Sequence, residues 1–372
     1  MPTSTSPLHV AVDCRVVDPH YPGIGRATLE TVRALTREPG PRRLSLLVGS
    51  GAPPADLADV AGSAHVDARL VKVGSALRSS ADQWELPRLL RRLRPDVYHA
   101  TYYAVPALLP VPTVVTIYDL IPRLFPRYWT NPALRGVINA WTAYAARHAA
   151  RVLTCSHATA RDLARLLPET APKVRVVPLG VSPRPAARVA ASRSSDDPTL
   201  LYVGSNKPHK NLPRLVAAFA RVAPTVAGTL IIAGAWDERY PEAVDLARRL
   251  NLDERVRFER RPSDERLDAL FAAATGFVFP SLYEGFGLPV LEAMAAGLPV
   301  ATSDRGSLAE VAGDAALLVD PDDEGSIADA MRRLLRDAAE RTRLSAAGRT
   351  QAARFTWERT AEETWALYEE AA

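Results

Sequence analysis

Apolar, β-branched runs alternate with amphipathic helical patterns along almost the whole chain, and they do so in two successive series. In the first, residues 8–12, 44–48, 68–73, 97–100, 113–118 and 152–155 read as extended, with helical patterns over 27–35, 83–93, 139–148 and 158–167, and 174–178 closes the half. In the second, 200–203, 230–233, 256–258, 277–279, 300–302 and 316–319 read as strands, with helices over 212–221, 243–250, 267–274, 290–296 and 327–336. Alternation of this kind predicts parallel sheets covered by helices on both faces. Residues 182–198, SPRPAARVAASRSSDDP, break the pattern with Pro, Ser and charge, and read as a linker. At roughly 100–200 residues per domain, 372 residues divide naturally into two. The expected fold class is α/β, two Rossmann-like doubly wound domains facing a central cleft. Its parts are residues 1–183, a linker at 184–198, a second domain at 199–355, and a last amphipathic helix within 356–372 that returns to the first domain.

Composition narrows the function classes. The formal net charge is +4 with a sequence pI of about 9.1, an excess spread along the chain with short basic runs such as residues 88–94. Such a balance suits an anionic ligand or an acidic membrane surface, so peripheral membrane association enters as an expectation. No block combines basic and aromatic residues as a nucleic-acid groove does. The N-terminus lacks a charged region followed by a long apolar run, and no stretch of about 18 apolar residues occurs. Cys14 and Cys155 each follow a strand pattern and read as small core residues rather than a disulfide. These features predict a cytoplasmic protein, peripheral at most to the inner face of the membrane.

Chemistry concentrates in residues 280–304, PSLYEGFGLPVLEAMAAGLPVATSD. The segment starts at the carboxyl end of a strand, where open α/β sheets bind ligands. Gly285, Phe286 and Gly287 lead into a helix with Pro289 near its first turn, where a missing amide hydrogen costs little. Backbone N–H groups there face outward for a phosphate, aided by the helix dipole. Glu284 and Glu292 bracket the turn; each carboxylate can accept hydroxyl hydrogen bonds from a sugar or ribose.

This segment resembles the signature of the retaining glycosyltransferases of family 4, which share the GT-B fold: two glutamates flanking seven residues, here EGFGLPVLE. The resemblance continues in order through YVGSNKPHKNL, LIIAG and SLAEVAGDAALLVDPDD in the second half. It runs more loosely through PGIGRATLETVRAL, PDVYHATYY, TIYDLIPRLFP, TCSHATARDL and VVPLGV in the first.

The resemblance implies roles. Glu284 lies by the donor sugar hydroxyls, Glu292 holds the ribose, and the Gly285, Phe286, Gly287 and Leu288 backbone meets the diphosphate or sugar. Lys210, behind the turn that holds Gly204 and Ser205, binds the diphosphate. Relatives often carry an arginine where Ser205 stands, which leaves Lys207 or His209 to take its place. Gly25 and Arg26, in GIGR, match the family's glycine turn beneath the donor phosphates. In TIYDL many relatives have histidine where Tyr118 stands. Tyr118 cannot act as a base near neutral pH as imidazole can, so Asp119 becomes the polar group expected near the reacting sugar or acceptor hydroxyl. His99 is expected to face the acceptor, or else to be a buried structural histidine. Arg261, where relatives often have Gly-Tyr, is expected to help set base choice.

Asp320–Pro321–Asp322 mimics an Asp-x-Asp metal site but sits between a strand and a helix, so it reads as a turn and cap. The histidines lack metal-ligand spacing, and no cofactor or metal is expected for donor binding. The implied activity is a retaining hexosyltransferase, with Glu284, Lys210 and Asp119 as its catalytic groups. Its donor is a nucleotide sugar, GDP-mannose before UDP-sugars; its acceptor is a glycan, a lipid-linked glycan or a small molecule. The alternatives are a non-catalytic or partner-dependent sugar-nucleotide-binding protein and another GT-B enzyme such as an epimerase.

Overall fold

The computed structural model describes residues 7–18, 20–62, 65–128, 131–182 and 198–372. Nearly all of the expected linker, 184–197, lies outside them. The chain forms two compact units: Met1–Gly180 together with Thr356–Ala372, and Val181–Phe355.

The first unit is built on seven parallel strands: β1 (Leu8–Asp13), β2 (Arg42–Gly49), β3 (Asp67–Val73), β4 (Val97–Ala100), β5 (Thr113–Thr116), β6 (Arg151–Thr154) and β7 (Val174–Val176). Their spatial order is β3-β2-β1-β4-β5-β6-β7. Side chains alternate strictly between two apolar layers. Val10, Val12, Leu44, Leu46, Val114 and Leu153 face one layer, while Ala11, Leu47, Val115 and Val152 face the other. Burial on both faces is why these strands read as continuous apolar runs rather than as alternating ones. The last helix, Trp357–Ala371, supplies Trp365 and Tyr368 to the first layer; Trp365 Nε1 donates to the Leu35 carbonyl at 3.2 Å.

The second unit holds β8 (Thr199–Val203), β9 (Thr229–Gly234), β10 (Val256–Arg260), β11 (Gly276–Phe279), β12 (Val300–Ser303) and β13 (Leu317–Val319), again all parallel, in the order β10-β9-β8-β11-β12-β13. In each sheet the winding reverses once: between β1 and β4, and between β8 and β11. Crossovers leave in opposite directions there, which opens a crevice at the carboxyl ends of those strands.

The helices Ala55–Ala61 and Gly306–Ala312 are absent from the sequence reading, and two longer helices also differ from it. Pro132–His148 begins seven residues before the apolar pattern at 139; Pro132 suits its first turn and Asn131 accepts the Leu134 N–H at 3.1 Å. Ala338–Ala352 has no apolar stripe to betray it. Its buried positions include Ser345, Gly348 and Ala352, small residues that admit close packing: a Cβ at Gly348 would lie 3.3 Å from Met294.

Candidate functional site

At the winding reversal of the second sheet, the loops after β8 and β11 bring Lys210 and Glu284 together. Lys210 Nζ lies 2.7 Å from Glu284 Oε1 and 2.8 Å from Oε2, with 15% and 12% of the two side chains exposed. The ammonium also stands 5.4 Å from the centre of the Phe279 ring. Local structure fixes this pair from several sides. Lys210 ends a 3-10 turn, Pro208–Lys210, and Asn211 follows in the left-handed region with φ 64°. Asn tolerates that conformation better than most residues. Its Nδ2 donates to the Pro280 carbonyl at 3.0 Å and the Pro321 carbonyl at 2.7 Å, and so ties three loops of the sheet edge. The Leu282 N–H reaches the His209 carbonyl at 2.8 Å, and Ser307 Oγ donates to the Glu284 carbonyl at 2.7 Å.

Gly287 caps the helix Leu288–Ala295 with φ 115°, and a Cβ there would come within 2.7 Å of Leu308. Only glycine fits both requirements. The Phe286, Gly287 and Leu288 amides thus lie at a helix start, where N–H groups have no intrahelical acceptors. Glu292, about one turn into that helix, is 4% exposed and Glu284 9%. Carboxylates this buried are rarely solvated surface residues. Ser281 Oγ, fully buried in the same loop, has no hydrogen-bond partner among the described residues.

On the β8 side, Gly204 is half-buried, with its carbonyl in close approach to Gly234: a Cβ on Gly234, at φ 137°, would come within 2.2 Å of that oxygen. The Ser205 carbonyl accepts from Tyr202 Oη at 3.1 Å. His209 is 7% exposed, and burial, then Lys210 and Lys207, push its pKa well below the ordinary value. A neutral, buried imidazole supplies no cation for a phosphate, so of the two substitutes weighed in the sequence only the exposed Lys207 carries an available charge. Arg261 is exposed at the end of β10 with φ 52°, its N–H on the Gly234 carbonyl at 2.8 Å. Next to it Arg260 covers the Trp236 ring at 4.8 Å, and Asn206 clamps the following loop through the Asp237 and Tyr240 carbonyls.

The first unit sorts its candidates differently. His99 is 3% exposed, and both ring nitrogens are taken, by Tyr368 Oη at 2.7 Å and Thr116 Oγ1 at 2.7 Å. The acceptor-facing reading of His99 gives way to the structural one, because no ring nitrogen is left to offer. Burial pushes its pKa down to about 3. In the unfolded chain it returns to about 6.5, so the unfolded state binds a proton that the folded state refuses. This group's contribution is intact above pH ~6.5 and falls by about 1.4 kcal/mol per pH unit between there and pH ~3. Comparing thermal unfolding of the wild type and His99→Gln from pH 8 to 4 checks it: the wild type should lose stability faster below pH 6. Parallel curves would show that His99 is not held neutral.

At Gly25 close packing by itself requires glycine. It is buried, and a Cβ would meet the Val16 carbonyl at 2.6 Å. Arg26 is exposed on the helix Pro22–Leu35. Tyr118 and Asp119 leave the end of β5 half-buried; burial raises the Tyr118 pKa, and Asp119 Oδ1 accepts the Ile121 N–H at 3.0 Å. The same unit holds an ion network that the sequence reading missed. Arg15, Asp13 and Asp82 have 3–4% of their side chains exposed, and the Arg15 guanidinium bridges both carboxylates at 2.6 Å. Its only sequence signal is the acidic residue ending β1 two positions before an arginine.

No group of His, Cys, Asp and Glu among the described residues is arranged to hold a metal. Asp320 and Asp322 both pair with Arg305, and Asp323 caps the helix Glu324–Arg336 through the Gly325 N–H at 2.7 Å. No helix among the described residues is long and apolar enough to cross a membrane.

Two parallel, doubly wound sheets, each with its loops gathered at a winding reversal, define the class of GT-B proteins. The pattern described as "Glycosyltransferase Family 4" matches residues 21–184, and that of "Glycosyl transferases group 1" matches 184–351. Glycogen synthase of Mycobacterium tuberculosis H37Rv is 32% identical over 291 residues, 75% of this chain and 69% of that protein. MMP alpha-(1->4)-mannosyltransferase of Mycolicibacterium hassiacum is 32% identical over 284 residues, 70% of this chain and 66% of that one. O-antigen chain mannosyltransferase B of Escherichia coli is 38% identical over 172 residues, and the match spans 45% of either protein. Among solved structures, sucrose-phosphate synthase from Thermosynechococcus elongatus superposes with a TM-score of 0.75 at 21% identity, over 97% of this chain and 98% of that one. Anabaena HepE, solved with UDP and glucose, gives 0.74 at 19% over 96% and 98%. The chain belongs to the GT-B glycosyltransferases of the family 4 type.

Proposed function

We propose that this protein transfers a hexose, mannose first among candidates, from a nucleoside-diphosphate sugar to an acceptor hydroxyl with retention at the anomeric carbon. The observation that carries the reading is the Lys210–Glu284 pair held at the β8/β11 reversal, beside the glycine-capped helix start. Lys210 and the helix amides take the diphosphate, Glu284 the sugar hydroxyls, and Glu292 the ribose. As the bond from the anomeric carbon to the phosphate oxygen breaks, charge builds on the leaving diphosphate. A fixed ammonium and helix-end amides stabilise it without rearrangement. The acceptor hydroxyl attacks from the same face, and its proton passes to the departing phosphate oxygen. The mannosyltransferase relatives favour mannose as the sugar moved; GDP-mannose is the donor proposed, and the exposed Arg261 is the side chain we assign to base choice.

A thermal-shift panel of GDP, UDP, dTDP and ADP, with and without magnesium, tests the donor site. At a hundredfold excess over Kd a ligand adds about 2.7 kcal/mol to stability. GDP should give the largest shift, unchanged by magnesium. A larger shift with UDP would move the donor to a UDP-sugar, and no shift with any of the four would sink the reading.

A further inference from the structure

Three tyrosines in the first unit sit at the carboxyl edge of its sheet, outside every role given so far. Tyr21 precedes the helix Pro22–Leu35 in the crossover after β1, and Tyr102 and Tyr103 follow β4. These are the two strands at the winding reversal. The ring centres of Tyr21 and Tyr102 lie 5.4 Å apart, and those of Tyr102 and Tyr103 lie 4.0 Å apart with a tilt of 34°. Tyr102 Oη donates to Tyr103 Oη at 2.7 Å. All three side chains are half-buried, so the cluster is built into the edge yet keeps open surface. Two charged groups flank it. Burial raises the Tyr103 hydroxyl's pKa, Arg78 works against that rise, and Asp119 adds to it, which places a cation and a carboxylate within electrostatic reach of the same phenol. Arg78 comes from the loop after β3 and Asp119 from the end of β5, so the crossovers after four strands converge. Arg78 is also exposed with φ 70°, a strained conformation for an arginine of the kind that collects at functional sites.

We propose that Tyr21, Tyr102 and Tyr103, with Arg78 and Asp119 beside them, form an aromatic platform that binds the terminal sugar ring of a saccharide acceptor. This rests on the glycosyltransferase reading above and names its acceptor class. A pyranose has an apolar face of C–H groups and an edge of hydroxyls. Tyrosine rings cover the first at little entropic cost, and their hydroxyls remain available to the second. Arg78 donates to hydroxyl oxygens and Asp119 accepts from hydroxyl hydrogens. A purely apolar tail would desolvate the phenols, the guanidinium and the carboxylate without giving them partners.

The test uses the full chain with GDP, and methyl α-D-mannopyranoside and methyl α-D-glucopyranoside as probes, read by saturation-transfer NMR. Ring-proton signals should appear for at least one glycoside. They should fall at least fivefold in Tyr103→Ala and persist in Tyr103→Phe, which keeps the ring. Arg78→Ala, an exposed position that cannot unfold the unit by losing a buried contact, should weaken them about threefold or more. GDP shifts should be the same in all variants. Nucleotide binding with no glycoside signal, or glycoside signals indifferent to Tyr103→Ala and Arg78→Ala, overturns the platform alone. Absence of both nucleotide and glycoside binding overturns the donor-site reading and the platform with it.

Discussion

Lys210→Met should lower the rate of sugar transfer by about 10²–10³-fold, the loss typical of removing one fixed group that stabilises leaving-group charge. The substitution removes the ammonium that stands over the Phe279 ring and keeps an unbranched aliphatic side chain. It also leaves Glu284 with no counter-ion in a site where 12% of its side chain is exposed. Breaking a buried pair in this way costs up to about 3–5 kcal/mol, whereas replacing both partners by neutral ones is often harmless. The two effects therefore separate in a double variant. Lys210→Met alone should lose both activity and several degrees of Tm, since about 1 kcal/mol moves a unit of this size by some 2–4 °C. Lys210→Met with Glu284→Gln should regain most of the Tm and none of the transfer. Lys210→Arg should not rescue either, because a planar fork does not replace a compact charge seated between two carboxylate oxygens. Transfer by the single variant within tenfold of wild type would remove Lys210 from the mechanism. Recovery of activity in the double variant would make the pair structural only.

The pair also shows where sequence reasoning reaches and where it stops. Glu284 and Lys210 are 74 positions apart. What joins them in the sequence is that each follows a strand pattern and lies near a glycine, Gly204 before Lys210 and Gly285 after Glu284, and what joins them in space is that β8 and β11 are neighbours at the reversal. The strand patterns were legible because parallel strands buried on both faces leave long apolar runs. The helix Ala338–Ala352 was not, because small residues packed closely against Met294 leave no apolar stripe. Within the first unit, His99 carries the residue type of a site, but both its ring nitrogens are engaged by side chains of the same unit. Periodicity says that a residue lies at a strand end; it does not say whether another element covers it. For His99 the cover comes from Tyr368, 269 positions away. The tyrosine cluster escaped for the complementary reason. Tyr21 and Tyr102 meet only because β1 and β4 are adjacent, with β2 and β3 lying on the far side of β1.

Arg15 is where the largest loss of stability is expected. Its Nη2 lies 2.6 Å from Asp13 Oδ2 and its Nη1 2.6 Å from Asp82 Oδ1, with 3–4% of each side chain exposed. Nε adds a 2.9 Å bond to Asp13 Oδ1, and Nη1 a 3.2 Å bond to the Ser75 carbonyl. Burial works against the guanidinium's charge, but Asp13, with Asp82, outweighs it and holds the pKa above its ordinary value. Tyr98 Oη donates to the same Asp13 Oδ2 at 2.8 Å, and Ser75 Oγ to the same Asp82 Oδ1 at 2.9 Å. One cation thus neutralises two buried anions drawn from β1 and from the helix Asp82–Leu93, and strand β4 is tied in through Tyr98. Arg15→Met removes the only cation of the trio and leaves two carboxylates facing each other out of water. The expected cost is about 3–5 kcal/mol, or roughly 6–20 °C of Tm for a unit of this size. Arg15→Lys should recover only part, because a point charge cannot reproduce the fork that spans Asp13 and Asp82. The neutral triple variant, Arg15→Met with Asp13→Asn and Asp82→Asn, should recover more than Arg15→Lys if uncompensated charge is what destabilises the single variant. Thermal unfolding by circular dichroism at pH 7 distinguishes these cases. A single variant melting within about 2 °C of wild type would mean that water reaches the carboxylates. A triple variant no better than the single one would locate the loss in packing and hydrogen bonds. Because Thr101 Oγ1 donates to the Asp13 carbonyl directly before Tyr102, the same variants should also loosen the tyrosine cluster, and weaker glycoside signals should follow the order of their melting temperatures.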